Sequence, residues 1–151
     1  MVKEGDKAPA FKTTDQNGNT VSLQQFKNKK VAIYFYPKDL TETCTVQACN
    51  LRDHYASLLK AGISILGVSA DSATLHKKFE QKYSLPFPLL MDENHKIIEA
   101  FGVWGEKQLF GKKYMGLIRT TFLINEKGII KKVITKPTSK AHAEEIINGF
   151  N

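Results

Sequence analysis

The strongest hydrophobic signal in the chain is the run of six apolar residues from Val31 to Tyr36 in "KKVAIYFYP", all β-branched or aromatic except Ala32. A run of that length without polar alternation predicts a central strand buried on both faces. After Pro37 the period changes. Ala48, Leu51, Tyr55, Leu58 and Leu59 recur at steps of three and four, predicting one helix with an apolar face that ends at Gly62. "ISILGVSA" predicts a second buried strand, and Ser72 caps a helix carrying Leu75 and Phe79. "FPLLMD" predicts a third strand and "ENHKIIEAFG" a short helix ending at Gly102.

The flanks are read the same way. "FKTTDQNGNTVSL" predicts two short strands around an Asn17-Gly18 turn, because Asn-Gly tolerates positive φ in a tight hairpin. Ser22 and Gln25 stand at capping-box spacing and predict a brief helical turn. "GLIRTTFLINEKGIIKKVIT" predicts strand, turn and strand, with Arg119 inside the first of these strands. Ser139 is expected to cap a last helix that turns Ile146, Ile147 and Phe150 inward, and Trp104 is expected to pack in the core. The alternating first half demands parallel pairing and the later hairpin adds antiparallel strands. That order is an α/β, thioredoxin-like plan: a central mixed β-sheet flanked by helices, with an N-terminal β-hairpin. We expect a single domain over residues 1–151.

Composition narrows the function classes. With 42% hydrophobic and 25% charged residues in 151, the chain has enough apolar material for one real core. The formal net charge of +7 comes from scattered pairs such as Lys29-Lys30 and Lys112-Lys113 rather than a basic run, so no nucleic-acid partner is expected. No stretch of 18 apolar residues exists, so no membrane span is expected. "MVKEGDKAPAF" is charged and lacks an apolar segment of the secretory kind, so a cytoplasmic setting is expected. In that reducing setting, two cysteines favour transient thiol chemistry over a structural disulfide.

Both cysteines fall in "YFYPKDLTETCTVQACNLRD", residues 34–53. Cys44 lies at the start of the predicted helix, where unpaired backbone N–H groups favour an anion and hence a thiolate. A thiolate attacks a disulfide, an electrophilic carbon or a peroxide oxygen. Cys49 follows five residues later. On an intact helix their Cα atoms lie about 9 Å apart, whereas a disulfide tolerates at most about 7 Å. Any bond between them requires part of the helix to unwind. From these residues alone, a redox pair and a pair of small buried hydrophobes both stand. A zinc site with His54 lacks a second paired motif, and the Cys-x-x-Cys of exchange enzymes is absent.

"PKDLTETC" fits the Pro-x-x-x-Thr-x-x-Cys signature of peroxiredoxins through Pro37, Thr41 and Cys44. With "CTVQAC", "LRD", "FGVWGEK" at 101–107 and "RTTFLI" at 119–124, the chain resembles the bacterioferritin comigratory protein, or peroxiredoxin Q, subgroup along essentially its whole length. The resemblance implies a thiol peroxidase in which Cys44 attacks hydrogen peroxide or an alkyl hydroperoxide and becomes a sulfenic acid. Cys49 then resolves it as an intramolecular disulfide, and thioredoxin or a related dithiol reduces that bond. It implies a monomer with no metal, haem or flavin.

It also implies that Thr41 hydrogen-bonds thiolate and peroxide, that Pro37 shields the thiolate from water, and that Arg119 holds the thiolate and polarises the peroxide. Many relatives carry Pro-Gly where this chain has Glu42-Thr43, and Glu42 is expected to face solvent. The competing readings are a dithiol–disulfide exchange protein and a redox sensor on the same fold. Sustained peroxide consumption with a recycling reductant separates the peroxidase from both.

Overall fold

In a computed structural model, residues 1–151 are described. The apolar run forms β3 (Lys30–Phe35), which pairs parallel to β4 (Ile63–Ser69) on one side and antiparallel to β8 (Thr120–Ile124) on the other. With β5 (Leu89–Met91) beyond β4 and β9 (Ile130–Ile134) beyond β8, the sheet order is β5-β4-β3-β8-β9. The chain therefore has the thioredoxin-like α/β fold. β1 (Lys12–Thr14) and β2 (Thr20–Ser22) make the N-terminal hairpin, with Gly18 at φ 78.

The two faces of β3 explain why its sequence does not alternate. Ala32, Tyr34 and Tyr36 enter a cluster with Cys44, Ala48 and Leu51 of α1 (Glu42–Asp53), Leu58 of α2 (Tyr55–Lys60), Phe79 of α3 (Ala73–Tyr83) and Ile146 and Phe150 of α5 (His142–Phe150). Val31, Ile33 and Phe35 enter the opposite cluster with Ile97, Ile98 and Phe101 of α4 (Lys96–Phe101) and with Val21 of the hairpin. The sheet is thus covered on both faces, and its central strand β3 ends at the loop that leads into α1.

Several expected details differ. The single helix predicted to run to Gly62 is broken at His54 (φ −110), which shifts the phase and leaves Leu59 52% exposed. Ser22 makes no side-chain cap, since Gln25 turns back to the Thr20 carbonyl instead (3.1 Å). Ser72 does cap α3, accepting from the Leu75 N–H (3.2 Å). Ser139 caps nothing: it lies in a 3₁₀ turn, and α5 starts without a side-chain cap from its own N-cap residue, Ala141. Trp104 is 39% exposed against the His95 ring rather than in the core.

It belongs to a hairpin that the sequence reading did not contain, β6 (Trp104–Leu109) and β7 (Lys112–Leu117). Arg119 consequently lies in the two-residue link between β7 and β8, not inside a strand. A charge at a strand's entrance can turn sideways toward a neighbouring helix, which a charge within the buried β8 could not do.

Candidate active site

The loop after β3 is tied down before α1 begins. Asp39 is buried, and its carboxylate accepts from the Tyr36 hydroxyl (2.6 Å) and from His76 Nδ1 (2.5 Å), while its backbone N–H donates to Asp71 (2.7 Å). Ser69 donates to the same Asp71 oxygen (2.7 Å). His76 Nε2 faces the Leu90 carbonyl at 2.9 Å and donates to it, and Nδ1 faces the Asp39 carboxylate, an arrangement that favours a positive charge on the ring. Burial works against that charge, but the hydrogen bond and charge of Asp39, with the Leu90 carbonyl and Asp71 behind it, raise the His76 pKa above the usual imidazole value. Oxygen and nitrogen atoms of Asp39, Asp71 and His76 all lie within 4.8 Å of one another. Their polar atoms are already engaged with each other, with Tyr36 and with Leu90, and they form a closed hydrogen-bond network rather than an open ligand set.

What the network holds is a turn. Leu40 has φ 65, a left-handed conformation that a branched residue adopts at a cost of about 1 kcal/mol or more. With Asp39 fixed on one side, Thr41 becomes the N-cap of α1 on the other. Because both members of the Asp39–His76 pair are fully buried side chains, Asp39→Ala is expected to destabilise the fold by about 3 kcal/mol by leaving a buried charge unpaired. The contribution of the raised His76 pKa is fully present below the ordinary imidazole value and is lost as pH rises through the raised one. Urea denaturation across pH should show that loss in the wild type and not in His76→Gln. Equal midpoints for wild type and Asp39→Ala would refute the pairing.

Cys44 is the third residue of α1 and only 2% exposed. Its Sγ accepts a hydrogen bond from Arg119 Nη2 at 3.1 Å. Arg119 Nη1 donates to Gln47 Oε1 at 2.6 Å, so the planar guanidinium spans the thiol and an amide one turn further along the same helix. Gln47 was not among the residues singled out from the sequence; its position three after Cys44 puts it on the same helical face and is the signal that could have found it. Lys107 of β6 donates to the Leu117 carbonyl (2.9 Å), tying the β6–β7 hairpin to the strand end just before Arg119. Burial lowers the Lys107 pKa and the Arg119 charge adds to this, while the Cys44 charge opposes it.

Of the other expected site residues, Pro37 is half-buried in the anchored loop. Thr41 is exposed, and its hydroxyl donates to the Lys38 carbonyl (2.8 Å) without capping α1. Glu42 is exposed, where a carboxylate in the first turn is favourable with the helix dipole. Cys49 is half-buried and both cysteines are free thiols on one continuous helix. Three buried polar atoms near this helix have no partner within the protein: Tyr34 Oη, Thr45 Oγ1 and Gln47 Nε2. Burial, and then the charge of Cys44, raise the Tyr34 pKa far above the usual phenol value, so it stays neutral. No helix is long and apolar enough to cross a membrane.

Comparison with known proteins gives the family. Residues 4–133 match the model of the AhpC/TSA family. The chain is 47% identical over 146 residues to the putative peroxiredoxin bcp of Coxiella burnetii, covering 97% of each chain. It is 45% identical over 147 residues to peroxiredoxin Bcp of Escherichia coli K12, covering 97% of this chain and 94% of that one. The crystal structure of peroxidoxin BcpB from Mycobacterium tuberculosis superposes with a TM-score of 0.86 at 30% identity, over 99% of this chain and 96% of that one. Likeness at that level from end to end is decisive: the chain belongs to the AhpC/TSA family, in its Bcp and peroxiredoxin Q branch, and is a thiol peroxidase.

Proposed function

We propose that Cys44 is the peroxidatic nucleophile and Cys49 the resolving thiol of a cycle closed by thioredoxin, with the protein acting as a monomer. The observation that carries this is the 3.1 Å hydrogen bond from Arg119 to Cys44 Sγ on the first turn of α1, five residues before the only other cysteine. The Cys44 thiolate attacks one oxygen of hydrogen peroxide or an alkyl hydroperoxide. An S–O bond forms as the O–O bond breaks, and the departing oxygen takes a proton to leave as water or an alcohol. The guanidinium stabilises the charge that develops on that oxygen. Thr41, on the same turn, can exchange its Lys38 partner for a peroxide oxygen, and Pro37 offers no N–H to compete for the sulfur.

The Cys49 thiol then attacks the sulfenic sulfur, forming the disulfide and releasing water. Both cysteines lie on α1, so helix geometry keeps their Cα atoms about 9 Å apart until α1 opens. Two observations favour opening. β-Branched Thr45 and Val46 are weak helix formers. Thr45 Oγ1 and Gln47 Nε2 also regain water when the segment unwinds. Two free thiols cycling through a disulfide suit a reducing, cytoplasmic setting.

Cys49→Ser tests the assignment. It should consume one equivalent of peroxide at the wild-type rate and then fail to turn over with thioredoxin as reductant, accumulating sulfenic acid at Cys44, which a second equivalent of peroxide carries on to sulfinic acid. Undiminished turnover with thioredoxin would remove Cys49 from the cycle.

A further inference from the structure

α5 begins without a cap from its own residues, yet the N–H of Ala143 in its first turn is not free. It donates to Oδ1 of Asn50 at 2.8 Å, from the other helix. The Nδ2 of the same Asn50 donates to the Lys140 carbonyl at 2.8 Å. One side chain on α1 therefore supplies both an acceptor and a donor to the backbone that opens α5, and it does so from the residue directly after Cys49.

The position of Asn50 along α1 gives this clasp its consequence. Leu51 is fully buried, and Arg52 Nη1 donates to the Tyr83 carbonyl (2.7 Å), so the end of α1 is anchored. The segment that must unwind for the two sulfurs to meet runs from Cys44 to Cys49, and Asn50 stands at its boundary. Once residues 44–49 lose their helical hydrogen bonds, the backbone of residue 50 loses its support on that side. Drawing Cys49 toward Cys44 then pulls directly on the clasp.

We propose that Asn50 is the latch of the resolving step: its two hydrogen bonds to the start of α5 hold α1 closed and are broken when Cys44 and Cys49 join. The proposal rests on the cysteine roles given above. The latch slows resolution and so lengthens the life of the sulfenic acid, which raises exposure to a second peroxide. It also makes the start of α5 a reporter of the redox state, because Ala143 loses its cap in the disulfide form.

Amide exchange of the unmodified protein and single-turnover kinetics of a variant test this together. In the wild type, oxidation by one equivalent of peroxide should give the Cys44–Cys49 bond and sharply faster exchange at the Ala143 amide. In Asn50→Ala, conversion of sulfenic acid to disulfide should be roughly thirtyfold faster, the middle of the range expected for two hydrogen bonds. Its initial reaction with peroxide should be unchanged, and it should resist overoxidation.

Asn50→Asp keeps the acceptor for Ala143 but not the donor to Lys140, and should fall between the two. It also serves if the alanine variant does not fold. A disulfide that forms with the Ala143 amide still protected, or equal resolution rates in wild type and variants, overturns the latch and leaves the cysteine assignments standing. Absence of the disulfide in the wild type overturns both.

Discussion

Cys44→Ser is expected to lose peroxide turnover altogether. The fold should survive, because a serine oxygen is smaller than the buried sulfur it replaces and can still accept from Arg119 Nη2. The chemistry should not survive. A serine hydroxyl is not ionised near neutral pH, and its oxygen cannot form the sulfenic acid on which the resolving step depends. The remaining thiol, Cys49, is half-buried five residues further on and has no hydrogen bond from a cation to assist it. A coupled assay with thioredoxin should read no consumption above that of the reductant alone. Retained turnover would move the nucleophile to Cys49 and undo the assignment.

Arg119→Met should lower the second-order rate with peroxide by about 10²- to 10³-fold, the effect typical of losing one preorganised donor at a developing oxyanion. Methionine keeps much of the stem and its packing while removing both Nη groups. Gln47 Oε1 and Cys44 Sγ then lose their shared partner. Stopped-flow mixing with hydrogen peroxide reads that rate directly. A wild-type rate in Arg119→Met would make the 3.1 Å contact structural only.

Much of this architecture is legible in the chain because burial dictates residue choice. Val31 to Tyr36 must satisfy two cores at once, so the run cannot alternate and announces a central strand. The pair Cys44 and Cys49 is conspicuous because those residue types are scarce and the spacing is incompatible with a bond on an intact helix. The β6–β7 hairpin is illegible for the opposite reason. Leu109, Phe110, Tyr114 and Met115 are exposed, so no alternation marks the strands, and Phe110 takes φ 51 where an Asn-Gly signature would be expected. Missing that hairpin put Arg119 inside a strand.

Caps fail for a related reason: α5 is capped from another helix, which no local pattern around Ser139 encodes. Asp39 and His76 are 37 residues apart and meet only through the sheet. Gln47 goes unmarked because its spacing from Cys44 gives the shared face but not the guanidinium that meets it.

The central claim is that one thiol attacks peroxide and its neighbour on the same helix resolves the product. It is tested most directly by mass mapping of the wild type after one equivalent of hydrogen peroxide, with free thiols blocked before digestion. The account predicts loss of both free thiols and a single cross-linked species joining Cys44 to Cys49 within one chain. Cys49 recovered as a free, blocked thiol beside a sulfinic Cys44, or a disulfide only between chains, would contradict it.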